Sequence, residues 1–361
     1  MHAQQASNIF VIGGTGAQGI PVVQALVEDK QYRCRILTRD TASARSQSLL
    51  ALGNVELVQG TFANEDDLRK GMRGCDGAFI NIDGFSSGEK AEVFWAIRSY
   101  EIAIQEGIKF YVYANIDYAT KKSGYDPKFR AGHLDGKGRI GEWVMFQNQD
   151  NKERMGAALF TTGPYIDMVI STPIMAPTVE DGIATWRAPL GDGAVCHVAL
   201  EDCGYYVRWL FDHPERANGM NLDVAVADIT YTELAAAFER VTGHPARYID
   251  TDLDTYWNMP VRKETAGKVV GYNADPNDPS LMKNRENFTG LWNVSKYRLL
   301  KKDYKKMDEI HPNRIKSAEE WFRMEDKKGR EEGKGSLWER IQAQSWIPIL
   351  KDHEDSGKGS L

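Results

Sequence analysis

The sequence predicts an α/β chain: a doubly wound parallel sheet with helices on both faces, followed by a smaller α+β lobe and a helical C-terminal tail. Three observations predict it. Short apolar runs alternate with helical patterns through the first 165 residues, which requires crossover connections and hence parallel strands. The first run breaks into glycines at three-residue spacing, Gly13, Gly16 and Gly19, before a helical pattern resumes at Ile20. Beyond Ile166 the elements become shorter and mixed. The expected divisions are residues 1–165, 166–295 and 296–361.

Ile9 to Ile12 reads as a buried strand, four consecutive apolar residues that stop at Gly13. In the turn GGTGAQG, Gly13 lets the chain leave the strand tightly, Gly16 lets backbone approach a pyrophosphate, and Gly19 lets the helix lie close to the sheet. Thr15 and Gln18 complete that turn, and the amides of the helix N-terminus face the phosphates. This is the Rossmann arrangement for a dinucleotide.

Tyr32 to Thr38 is strand two, ending in Arg39, twenty residues beyond Gly19, where such folds read the adenosine ribose. An acid there accepts from a free 2′-hydroxyl, whereas arginine fits a 2′-phosphate. The expected cofactor is therefore NADP(H). Asn54 to Gln59 is strand three, leading to Thr61 and Phe62 beside the adenine. A helix from Glu65 to Met72 precedes strand four, Gly77 to Ile82, whose end at Asn81, Ile82 and Asp83 passes the cofactor. Glu89 to Glu106 is helical, and Phe110 to Ala114 is strand five. Asn115 to Leu134 reads as a long polar loop, a flap over the site. Asp135 to Asn148 is helical, Ala157 to Thr162 is strand six, and Gly163-Pro164-Tyr165 turns across its end towards the nicotinamide. In the second lobe Thr230 caps a helix that Gly243 and Pro245 end. Charged helices around the glycine-rich stretch Gly329 to Ser336 form the tail.

A net charge of −6 argues against nucleic acid as a partner. No apolar run approaches membrane-spanning length, and the N-terminus lacks the pattern of a signal peptide. The cysteines Cys34, Cys75, Cys196 and Cys203 fit neither a zinc site nor a disulfide framework, so no metal is expected and the cytoplasm is the expected compartment. Asn287-Phe-Thr and Asn293-Val-Ser match a glycosylation pattern that carries no meaning without secretion.

The start GGTGAQG, the strand ending Thr38-Arg39, the segment Leu200 to Trp257 and the tail stretches Asp308 to Arg323 and Gly335 to Gln342 resemble the NmrA-like family of atypical short-chain dehydrogenases, in its fungal form. The resemblance implies a Rossmann lobe, a smaller substrate lobe and NADP(H). Short-chain dehydrogenases typically carry a Tyr-x-x-x-Lys pair on the helix after strand five. Here the matching register reads His133-Leu-Asp-Gly-Lys137, similar to the HFDxK sequence common in the family. Lys137 is then the cofactor ligand and His133 the acid or base. Tyr118, four residues before Lys122, is a reserve proton donor. Asp83 and Asp117, at the ends of strands four and five, are placed to orient a cationic or imine-bearing substrate. Tyr165, Trp186, Tyr256 and Trp257 are candidates to line a pocket for a flat, aromatic ligand.

The expected activity is that of an NADP(H)-dependent reductase in secondary metabolism, or of a cofactor-bound biosynthetic enzyme that condenses or cyclises a small metabolite, as on an imine. The alternative is a non-catalytic redox sensor that reads NADP(H) and acts on a regulatory protein partner.

Overall fold

The computed structural model describes residues 7–343. The first lobe runs β1 (Ser7–Ile12), α1 (Gly19–Val27), β2 (Tyr32–Thr38), α2 (Ala44–Leu50), β3 (Val55–Gln59), α3 (Glu65–Met72), β4 (Gly77–Ile80), α4 (Gly84–Gln105), β5 (Phe110–Ile116), α5 (Ala119–Lys122), α6 (Gly132–Asn151) and β6 (Gly156–Thr162). Then follow α7 (Met168–Ser171), β7 (Thr178–Glu180), β8 (Ile183–Ala188), β9 (Val195–Cys196), α8 (Leu200–Asp212), α9 (Pro214–Ala217), β10 (Asn221–Asp223), β11 (Asp228–Ile229), α10 (Tyr231–Thr242), β12 (Ala246–Asp250), α11 (Leu253–Asn258) and α12 (Pro260–Ala266). The described residues close with α13 (Asn284–Lys296), α14 (Tyr304–Ile310), α15 (Ala318–Glu331) and α16 (Leu337–Gln342).

Seven parallel strands form the main sheet in the order β3-β2-β1-β4-β5-β6-β10. Strand order reverses between β1 and β4, which opens a crevice at their carboxyl ends. Apolar clusters cover both faces, one through Val11, Val22 and Val112, the other through Phe10, Ile80 and Tyr111. Strands buried on both faces carry continuous apolar runs, so their pattern is visible in the sequence.

The chain departs from expectation where local interactions outweigh periodicity. The ladder of strand four stops at Ile80, and the next helix starts at Gly84 instead of Glu89, because the Asp83 carboxylate accepts from the Phe85 amide and caps it. Gly88, at φ +75°, then kinks α4. Strand five continues to Ile116, past Ala114. The segment 115–134, expected as a flap, is gathered onto the buried Asp135 carboxylate. That group accepts from the Thr120 amide and hydroxyl, the Ala131 amide and Arg130. An internal ligand set of this kind makes the segment part of the packed wall.

The chain beyond residue 166 does not stay in a separate lobe. β10 adds a seventh strand beside β6, and Cys203, Tyr206 and Leu210 of α8 join the core on the α1 side of the sheet. The tail is divided as well. Met307 and Ile310 of α14 pack on the main-sheet core, while Trp321 and Phe322 of α15 and Leu337 and Ile341 of α16 complete the second-lobe core with Trp186, Phe238 and Trp292. That lobe holds a three-stranded sheet, β12-β8-β7, and the pair β11-β9. The expected cap at Thr230 is present, its hydroxyl accepting from the Glu233 amide, and Gly243 ends α10 in the left-handed conformation. The first six residues and those after Ala343 lie outside the described residues.

Between α13 and α14, Lys302 enters the interior and binds the carboxylates of Asp117, at 2.7 Å, and Asp223. Lys122 takes the other Asp117 oxygen. Burial alone raises the Asp117 pKa, but the charges of Lys302 and Lys122 outweigh it and hold the group below its ordinary value. Burial also opposes the charge of Lys302, which Asp223 and Asp117 sustain.

Two stability predictions follow from these contacts. A Cβ at Gly19 overlaps the Gly13 carbonyl oxygen, whereas one at Gly267 meets nothing within 4 Å. Gly19→Ala is expected to cost about 1–3 kcal/mol in urea denaturation, and Gly267→Ala about 0.5 kcal/mol or less. Lys302→Met leaves half-buried Asp223 without its cation and buried Asp117 with Lys122 alone, and is expected to cost about 2–4 kcal/mol near neutral pH. Without the lysine both carboxyl pKa values rise in the folded state, so the variant binds more protons folded than unfolded. Its stability is then expected to fall as pH rises from about 5 to about 8, as measured by denaturation at each pH.

Candidate functional site

The glycine turn stands at the crevice. Gly13 has φ +78°, and a Cβ there overlaps the Asn81 carbonyl oxygen, so strand β1 can turn beside the end of β4 only with glycine. The Gly16 amide donates to the Gly13 carbonyl at 2.9 Å, and a Cβ at Gly16 meets only that oxygen, at 3.2 Å. The outer side of the turn is therefore open to a ligand. Gln18 caps α1 without using its side chain; the Ile20 amide donates to the Gly16 carbonyl at 3.0 Å and Pro21 has no N–H, which leaves the Gly19 amide for an anion. Gln18 Nε2 reaches Thr162 Oγ1 at 3.3 Å, while its buried Oε1 has no partner. The open side of the glycine turn and the Gly19 amide fit a bound pyrophosphate. Thr15 and Thr38 are buried in the same crevice, and Arg39 is half-buried at the end of β2. The Thr61 amide is held by Asp67 at 3.0 Å, and Phe62 packs against the core beneath.

Further along the strand ends stand the residues of the His133–Lys137 register. Both side chains leave the first turns of α6, one turn apart and on one face. Lys137 Nζ donates to the Ile82 carbonyl at 2.7 Å and pairs with buried Glu92 at 3.0 Å. Burial pushes Glu92 up to about 6, against the pull of Lys137. Lys137 Nζ also approaches the Ala114 carbonyl, at 3.4 Å. This lysine therefore joins the ends of β4 and β5 beside the expected nicotinamide position.

His133 is buried. Its Nδ1 lies 2.9 Å from Asn287 Oδ1, which also accepts from the His133 main-chain amide at 3.3 Å. Phe85 and Phe288 flank the ring at centroid distances of 4.9 and 5.7 Å. Burial lowers its pKa to about 4, although the Asn287 bond favours the cation. The ring is thus neutral near pH 7.

The remaining site expectations resolve differently. Asp117 is saturated by Lys122 and Lys302, so it is not presented to a substrate. Tyr118 accepts from Arg139 Nε at 3.0 Å, and because Lys122 is committed to Asp117, Tyr118 and Lys122 do not form a tyrosine–lysine pair. Asp83 serves as the cap of α4. Tyr165 lies just beyond β6, bridged to Val198, and packs against the main-sheet core. Trp186 and Trp257 are core side chains of the second lobe, their indole N–H groups bound to the Val169 carbonyl and to Thr289 Oγ1, each at 3.0 Å. Tyr256 is buried beside them, its hydroxyl on the Ile174 carbonyl. Tryptophans with satisfied N–H groups inside a core are not pocket walls.

A cavity does occur at the ends of β5 and β6. Ile116, Leu134, Leu291, Val294 and Leu300 give it apolar walls, and Thr162, Gly163 and Pro164 bring it to the strand ends that border the crevice. Ser295, Arg298, Lys302, Cys196 and Asp228 add polar groups. Leu291, Val294 and Asn287 all come from α13, which sequence reasoning did not connect with the site. The available signal was the apolar spacing of Leu291 and Val294, three residues apart on a helix.

Known proteins share this architecture. The NADP complex of NmrA, a negative transcriptional regulator, superposes with a TM-score of 0.70 at 19% identity, covering 93% of this chain and 100% of that one. The Escherichia coli NADPH-dependent quinone oxidoreductase QOR2 in complex with NADPH gives 0.64 at 17% identity, over 87% of this chain and 98% of that one. At these identities the likeness is one of fold. Among curated proteins, the NmrA-like family domain-containing oxidoreductase lnaB of Aspergillus flavus is 28% identical over 253 residues, 66% of this chain and 74% of the relative. The oxidoreductase FrzB of Cladobotryum sp, described in the same words, is 26% identical over 263 residues, 66% of this chain and 75% of the relative. The model of the NmrA-like family matches residues 5–300, and with the crevice, the glycine turn and the His133–Lys137 register in place, this chain belongs to that family.

Proposed function

We propose that this protein is an NADP(H)-dependent oxidoreductase of secondary metabolism that acts on a small, largely apolar metabolite. The observation that carries this reading is the register of buried His133 and Lys137 on one face of α6 at the carboxyl ends of the strands, with a small, largely apolar pocket beside it between β5, β6 and α13. The oxidoreductase names of fungal relatives, and the NADPH named with the quinone oxidoreductase of like fold, support it.

NADP(H), when bound, supplies the hydride-transfer chemistry. The protein's part is to bind and orient. The amides after Gly13 and at the start of α1 receive the pyrophosphate, and Arg39 pairs with the 2′-phosphate. Lys137 braces the Ile82 carbonyl at the strand end that flanks the nicotinamide ribose. His133 offers a polar contact, and Leu134, Leu291 and Val294 keep water from the apolar substrate.

Two measurements test this reading. Arg39→Ala is expected to weaken NADPH binding roughly tenfold or more in a fluorescence titration while changing NADH binding far less. Equal losses overturn the 2′-phosphate assignment. Leu291→Trp, which fills the cavity, is expected to leave the NADPH dissociation constant within about twofold and to lower NADPH oxidation at least roughly tenfold with an apolar ketone, quinone or imine. If the native protein binds NADPH and oxidises none of these, the redox-sensor reading replaces the enzyme.

A further inference from the structure

We propose that Asn287 locks His133 in the tautomer that carries its proton on Nδ1, leaving Nε2 as a hydrogen-bond acceptor, so that the ligand group seated against it is a donor, a hydroxyl or an N–H. The role of Asn287 follows from the geometry alone; the assignment of Nε2 to a ligand rests on the oxidoreductase reading above.

One oxygen decides the tautomer. The His133 main-chain N–H points at the Asn287 side chain, 3.3 Å away. A main-chain N–H can only donate, so the atom facing it is Oδ1 and not Nδ2. Flipping the amide would set donor against donor. The same Oδ1 lies 2.9 Å from His133 Nδ1. Since an amide oxygen cannot donate, Nδ1 must bear the hydrogen, and the neutral ring then has its lone pair on Nε2. That nitrogen has no hydrogen-bond partner among the described residues.

Asn287 is itself held. It is fully buried on α13, and its Nδ2 has no partner, so the amide keeps this orientation for the two bonds made by its oxygen. Its neighbour Phe288 stacks on Phe85 at 5.8 Å, and both rings flank the imidazole. The charged groups that bear on the ring are Glu89 from α4 and Asp135 and Lys137 from α6. Burial exceeds the pull of the two acids and works with Lys137, so the ring stays neutral near pH 7. A neutral imidazole with a bare Nε2 accepts a proton or a hydrogen bond and gives none. Asn287 is therefore a positioning residue, acting through His133.

The test uses the full chain labelled with 15N-histidine, without cofactor or substrate. Long-range imidazole spectra separate the two tautomers and the cation, and His133→Gln assigns the signal among the seven histidines. The native protein is expected to show Nδ1 protonated and Nε2 bare throughout about pH 8 to about pH 5.5. Asn287→Asp keeps an acceptor at Nδ1 and adds a negative charge, so the midpoint of His133 should rise by at least about one pH unit. Asn287→Leu removes the acceptor and should release the ring to the Nε2–H form or a mixture. An Nε2–H signal in the native protein overturns the proposal, and so does an unaltered Nδ1–H form in Asn287→Leu. Should the leucine variant not fold, the native spectrum and the aspartate variant still decide. Because no ligand is added, this result is independent of whether NADPH is bound or turned over.

Discussion

The structure depends on how charge is neutralised at the carboxyl end of the sheet. Three carboxylates are buried there, and each is matched by a cation from another element: Glu92 by Lys137, Asp135 by Arg130, and Asp117 by Lys302. An unpaired charge in such a place costs several kcal/mol, so the pairs constrain which segments must sit together. Lys302 stands 185 residues from Asp117, and with it the stretch before α14 is pinned to the ends of β5 and β10. The second lobe and tail are thereby part of the crevice wall. Residues that look available for chemistry in the sequence are in large part consumed by this task.

That explains which parts of the molecule were legible. The strands of the main sheet announce themselves because both faces are covered, and the glycine turn because its backbone tolerates no side chain at Gly13 or Gly19. β10 is three residues long and reads Asn-Leu-Asp, with one buried side chain, so neither length nor alternation marks it. Segment 115–134 is polar and looks like a flap, yet its order comes from Asp135, a contact that periodicity does not encode.

The site was legible in the same uneven way. Its cofactor half is local in sequence: turn, helix start and strand ends carry their own signals. The substrate half is assembled from distance. Asn287 meets His133 across 154 residues, inside a tripeptide whose most visible feature was a glycosylation pattern. Trp186 and Trp257 drew attention because aromatic side chains can line pockets, but burial with satisfied N–H groups makes them core. The aliphatic wall from α13, which does line the cavity, has the composition of any buried helix face.

The proton inventory at the strand ends also bears on the chemistry. Glu92 is raised to about 6 by burial and is paired with Lys137 Nζ at 3.0 Å. Tyr118 accepts from Arg139, and Asp117 is held ionised by two lysines. His133 is neutral near pH 7. Of the carboxyls at the strand ends, Glu92 and Asp223 are each raised by burial to about 6, and each is bound to a lysine. The constraint that organises the fold, carboxylates paired in the interior, thus also fixes where protons are held at the strand ends.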